Sequence, residues 1–123
     1  MKKFISVIMP SFNGGEFIEE AIISCINQTE ILELIIFEAG SDKLTKEKII
    51  LLSKRYEKIK YFFEEDKGPA DALNKAVLIS KGSHIAWLNS DDKFESGFIK
   101  NAIDQLKKKK KYFISIWTWK IYW

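Results

Sequence analysis

Scarcity marks this 123-residue chain first: it has one cysteine, one histidine and no long apolar run. Cys25 has no second cysteine to pair with, so a disulfide framework is excluded, which fits a reducing compartment. His84 has no sequence neighbour with which to share a metal and reads as structural. No segment approaches the ~20 apolar residues of a spanning helix. The apolar stretch inside MKKFISVIMPSFNGG stops at Pro10, too early for a signal-peptide core, so a cytoplasmic chain is expected. No G-x-G-x-x-G follows the first strand and no G-x-x-x-x-G-K-[ST] occurs anywhere, which argues against dinucleotide and P-loop sites. Neither an internal repeat nor a linker divides the chain.

Excess positive charge is also largely missing from the body of the sequence. The formal net charge is +3, but five of the 20 basic residues form the single run Lys107–Lys111. Setting that run aside leaves fewer basic than acidic residues, so no nucleic-acid footprint is spread over the domain. The run itself reads as a solvated basic helix end complementing the dipole, with peripheral attraction to anionic lipid the less favoured option. Hydrophobic residues make up 46% and charged residues 30%, the balance of a globular chain.

The apolar pattern alternates between two periods. Phe4–Met9, Leu32–Phe37, Ile59–Phe63 and His84–Leu88 read as strands. Glu16–Gln28, Thr45–Tyr56, a segment opening at Pro69, and Glu95 to about Lys109 read as helices. Glu16, Glu19 and Glu20 fall in the first turns of the first helix, where the dipole favours negative charge. Cys25 lies on that helix's apolar stripe and reads as core. Strands and helices alternating in this way predict an α/β domain with a largely parallel sheet. Ligands of such sheets bind beyond the carboxyl ends of the strands. The segments after those ends are PSFNGG, EAGSD, EEDKGP and NSDD, all polar and all glycine-bearing or acidic.

The stretch HIAWLNSDD ends a buried strand in two adjacent carboxylates, Asp91 and Asp92. Like charges side by side resist burial unless a positive partner is near. One reading is helix capping, because Asp92 stands three residues before Glu95 at capping-box spacing. The other is a divalent cation held by one or two carboxylates, its oxygen shell completed by a ligand's phosphates and water. The two are compatible. Glu38 at the second strand's end suits hydrogen bonding to a base or ribose, and equally suits a solvated loop. Lys67 is placed to meet phosphate. Asp71 and Asn74 lie off the Ala72/Ala76 stripe, where a solvated helix face explains them as well.

Three stretches, SVIMPSFNGGEFIEEAIISCINQT, IIFEAGSDKLT and EEDKGPADALNKAVLISKGSHIAWLNSDD, resemble in order and spacing the nucleotide-binding half of family 2 glycosyltransferases of GT-A fold, from about Phe4 to Leu106. The resemblance implies a three-layer α/β/α domain with a mostly parallel sheet. It implies a nucleotide-sugar donor, most usually a UDP-sugar, a glycan or lipid-linked acceptor, and Mn²⁺ or Mg²⁺ as cofactor. By that resemblance Pro10, Ser11 and Asn13 line the nucleoside pocket and Glu38 contacts the base. Lys67 and Asp71 lie on the donor side, Asp92 holds the metal, and Asp91 serves ribose or metal. Glu38-Ala39 stands where such families usually show Asp-Gly or Asp-Asp-Gly. The resemblance also places the general base many tens of residues beyond Leu106, so no catalytic residue is assigned here. A carboxylate-metal site of this kind stabilises a diphosphate leaving group.

The last dozen residues, YFISIWTWKIYW, hold six aromatics and three of the four tryptophans. They suit a closing strand or hairpin. They also suit a segment foreign to the domain, with residues 1–106 forming the nucleotide-sugar-binding half and 107–123 a lysine run and tail. Slippage in an adenine tract encoding the lysines would give such a truncated product. Two rival functions remain: a non-catalytic nucleotide-binding remnant, and a nucleotidyltransferase. The latter wants a basic residue in its first glycine-rich loop, which PSFNGG lacks.

Overall fold

The computed structural model describes residues 5–64, 69–108, 114–116 and 119–122. Strand β1 (Ile5–Ser11) is buried along almost its whole length, which is why its sequence is apolar without alternation. It is the centre of the molecule. β2 (Ile31–Glu38) flanks it on one side and β4 (His84–Trp87) on the other, both parallel to it, and β3 (Ile59–Phe63) lies outside β2. The tail adds β5 (Ile114–Ile116) and β6 (Trp119–Tyr122), an antiparallel pair whose β6 runs antiparallel to β4. The order is β3-β2-β1-β4-β6-β5, a mostly parallel α/β sheet as expected, and the closing hairpin forms.

Helices cover both faces. Ile18, Ala21, Ile22 and Cys25 of α1 (Ile18–Ile26), Ile49 and Leu52 of α2 (Lys43–Arg55), and Ile99, Ala102 and Ile103 of α4 (Phe98–Lys108) pack with Val7, Met9, Leu34 and Ile36. On the other face Ala72 and Ala76 of α3 (Pro69–Ile79) meet Ile8, Ile35 and Phe37. The two clusters give the three layers.

Two helix starts differ from the sequence expectation. Residues Gly15–Phe17 form a single 3₁₀ turn before α1, so the helix proper opens at Ile18, with Glu19 and Glu20 in its first turn. The fourth helix opens at Phe98 instead of Glu95. Gly97 has φ +76, a conformation that interrupts a right-handed helix, and Asp92 closes a turn by donating its N–H to the Asn89 carbonyl over 3.0 Å. Asp92 therefore lies six residues before the helix and cannot cap it. The capping-box reading of the Asp91–Asp92 pair is overturned.

A buried charge at the opposite, amino-terminal edge of the sheet ties three strands together. Glu33 of β2 is 2% exposed. Its carboxylate accepts from Ser6 Oγ at 2.6 Å, from the Lys81 N–H at 2.6 Å and from Lys60 Nζ at 2.5 Å. Burial alone would raise its pKa, but Lys60 and the other donors outweigh that and hold it below the ordinary glutamate value. No helix among the described residues is long and apolar enough to cross a membrane.

Candidate functional site

Parallel pairing sets the site. Ser11 is level with Glu38, and Glu38 with Phe63, so the loops after β1, β2 and β3 leave the sheet on one rim. The Leu88 N–H donates to the Ile8 carbonyl over 3.0 Å, which carries the chain after β4 to the same rim beside β1. The expected residues Pro10, Ser11, Asn13, Glu38, Asp91 and Asp92 are thus consecutive along one edge. Asp71 joins them in the first turn of α3, and Lys67 lies outside the described residues.

Glu38 is wholly buried, which removes the solvated-loop reading. Its Oε1 accepts from Ser11 Oγ at 2.6 Å, and its Oε2 accepts from the Asn13 N–H at 2.8 Å and the Gly40 N–H at 2.7 Å. A carboxylate has about four acceptor positions; here the chain itself fills three. The bonds hold the loop after β1 against the loop after β2. Asn13, at φ 53, returns the favour by accepting the Asp42 N–H on Oδ1 at 2.9 Å. Left-handed backbone suits Asn better than most residues. Asp42 caps α2 by accepting from the Thr45 N–H, and Thr45 Oγ1 in turn accepts the Gly15 N–H at 2.9 Å. The Thr45 hydroxyl and backbone bonds hold the Asp42 pKa below the ordinary aspartate value.

Two loops so braced leave one large apolar group facing out. Phe12 is 73% exposed between Ser11 and Asn13. Sequence reasoning passed over it, although an aromatic in a polar strand-end loop is a visible signal for a stacking surface.

The carboxylates after β4 are in a different state. Asp91 is exposed and Asp92 half-buried, and both border a cleft of about 330 Å³ shared with Phe17, Glu20 and Glu95. Lys93, the cation next to them, pairs with Glu20 at 2.9 Å instead. Among the described residues neither Asp91 nor Asp92 joins an ion pair. No group of three or more His, Cys, Asp or Glu among the described residues is placed to hold a metal ion. The pair is not a closed cage, and it fits a hard divalent cation that arrives with oxygens of its own. Asp71 is differently engaged: Lys75 bridges it at 3.1 Å to Glu64 at 3.0 Å, tying α3 to the end of β3.

Known proteins are similar to this chain in sequence and in fold. The family described as Glycosyl transferase family 2 matches residues 6–122. A glycosyltransferase of Rickettsia conorii is 33% identical over 105 residues, covering 85% of this chain and 17% of that protein. A mannosyltransferase of Pyrobaculum calidifontis, solved in complex with GDP-Man and Mn²⁺, has a TM-score of 0.81 at 20% identity, over 94% of this chain and 35% of that one. TarS 1-349 of S. aureus, solved in complex with UDP-GlcNAc, has a TM-score of 0.68 at 23% identity, over 88% of this chain and 32% of that one. The chain spans less than half the length of each.

Proposed function

The chain belongs to the family 2 glycosyl transferases, with the GT-A fold, and we propose that it forms the donor side of such an enzyme, binding a nucleotide-diphospho-sugar. The observation that carries this reading is the Asp91–Asp92 pair: two carboxylates without an ion-pair partner among the described residues, on the rim beside a braced polar loop. The Phe12 ring offers a base a surface to stack on, and Ser11 and Asn13, held by Glu38, shape the nucleoside side. Glu38 acts on the nucleoside chiefly through the loop it holds. Asp71 and Lys67 belong to the donor side. A divalent cation, Mn²⁺ or Mg²⁺, would be held by Asp92 with Asp91 and would supply Lewis-acid stabilisation of the diphosphate leaving group. The two carboxylates orient the diphosphate end; the clamped loops orient the nucleoside end. A UDP-sugar is the donor tested first, and a glycan or lipid-linked molecule is the acceptor proposed for the whole enzyme.

The test is thermal. A ligand that binds only the native state must raise the melting temperature, by the equivalent of about 2.7 kcal/mol at a hundred times its Kd. UDP or GDP with Mn²⁺ should raise it, and Mn²⁺ or nucleotide alone should do so far less. A melting temperature unmoved by every combination contradicts the donor-site reading.

A further inference from the structure

The segment from Lys93 to Gly97, which follows the carboxylate pair, makes little backbone structure of its own. A local bond runs from the Phe98 N–H to the Glu95 carbonyl over 3.0 Å, and its backbone is otherwise held from outside, by side chains of α1 and its exit. Ser24 Oγ accepts the Phe94 N–H at 3.0 Å. Gln28 Nε2 donates to the Glu95 carbonyl at 2.9 Å, and Gln28 Oε1 accepts the Ile99 N–H at 3.3 Å. Glu20 and Ser24 are four apart on α1 and share one face, and Gln28 follows just past the helix end. Glu20 adds only the exposed ion pair to Lys93. Gln28 is 4% exposed, and its own backbone is fixed, donating to the Cys25 carbonyl and accepting from Ile31. One buried amide therefore holds the middle of the segment that connects Asp92 to α4, at Glu95, and the first turn of α4, at Ile99. The segment also walls an open groove of about 580 Å³ along α1, so tethers more than close packing fix it, apart from the buried Phe94 ring.

We propose that Gln28, assisted by Ser24, is a positioning residue for Asp91 and Asp92: its amide sets where the carboxylate pair stands and thereby how well the pair holds a cation with a diphosphate. This rests on the donor-site reading above. The amide must both donate and accept. Methionine at position 28 fills the space and does neither, and glutamate, when ionised, accepts only. A merely structural glutamine would change folding stability and leave the metal effect alone.

The experiment titrates UDP, or GDP if the parent chain prefers it, into the 123-residue chain with and without Mn²⁺ by calorimetry, well below each variant's melting temperature. The readout is the ratio of the two affinities. In Gln28→Met the metal-free affinity should stay near the parental value, since the loops at Ser11 and Glu38 are untouched, while the gain from Mn²⁺ falls about tenfold. Gln28→Glu should fall in the same direction. Ser24→Ala removes only the Phe94 tether and should lose less of the gain, and it carries the test if position 28 does not tolerate change. A full Mn²⁺ gain in folded Gln28→Met and Ser24→Ala protein overturns the inference alone. No Mn²⁺ gain in the parent chain overturns the donor-site reading, and the inference with it.

Discussion

Ser11 and Glu38 stand 27 residues apart in the sequence and are joined by a buried 2.6 Å hydrogen bond across the β1–β2 seam. The same carboxylate takes the N–H groups of Asn13 and Gly40. Glu38→Ala leaves three donors without their acceptor. At about 1–3 kcal/mol for each unsatisfied buried group, unfolding free energy should drop by about 3 kcal/mol or more. Urea denaturation measures it, and UDP affinity should fall by about tenfold as the loop loosens. A parental urea midpoint would show that the loops hold each other without this clamp.

Gly40 is the other half of that contact. A Cβ there would lie 2.0 Å from Asn13 Oδ1 and 2.9 Å from the Asn13 nitrogen. Gly40→Ala should push Asn13 out of its bond to Asp42, costing about 1–3 kcal/mol as overpacking does. Nucleotide affinity should fall with it. An alanine variant of parental stability and affinity would contradict the close approach.

Glu33 predicts a pH dependence unconnected with the site. Its folded pKa lies below the ordinary value of 4.5, because the bonds from Lys60, Lys81 and Ser6 outweigh burial. The folded state therefore holds its proton less tightly than the unfolded one. The stability this gives is full above 4.5 and is lost as pH falls through the depressed folded value. Glu33→Gln should be less stable than the parent at neutral pH, and its stability should decline less between pH 5 and 3. Denaturation curves across that range give the comparison; parallel declines would mean that Glu33 does not titrate differently in the two states.

The four parallel strands were legible because buried strands write themselves as apolar runs between polar loops. Ile59–Phe63 is unchanged and the other strands end or begin within a residue or two of expectation, Phe4 lying outside the described residues. The strand-end rule then placed Ser11, Asn13, Glu38, Asp91 and Asp92 on one rim from spacing alone. The fourth helix opens three residues later than the sequence pattern suggests, because Gly97, at φ +76, and the tethers from α1 hold the preceding residues out of it. Those tethers were invisible: Gln28 meets Glu95 and Ile99 across 67 and 71 residues, and no local period reports such a contact. Glu33 and Lys60 escaped for the same reason. The position of Glu38 could be read, but its burial and its three partners depend on loops that only the fold brings together.

On the proposed function Asp92 would hold the divalent cation that accompanies a diphosphate. Asp92→Asn keeps the size of the side chain and removes the charge that a hard cation prefers. Because α4 starts at Phe98, no helix cap is lost, so stability without ligand should stay within about 0.5 kcal/mol. Titrating UDP into parent and Asp92→Asn protein, each with and without Mn²⁺, compares the two directly. Strong Mn²⁺-dependent binding is expected in the parent, abolished by EDTA, with a Mn²⁺ gain reduced by about tenfold or more in the variant. Four superimposable curves would contradict it.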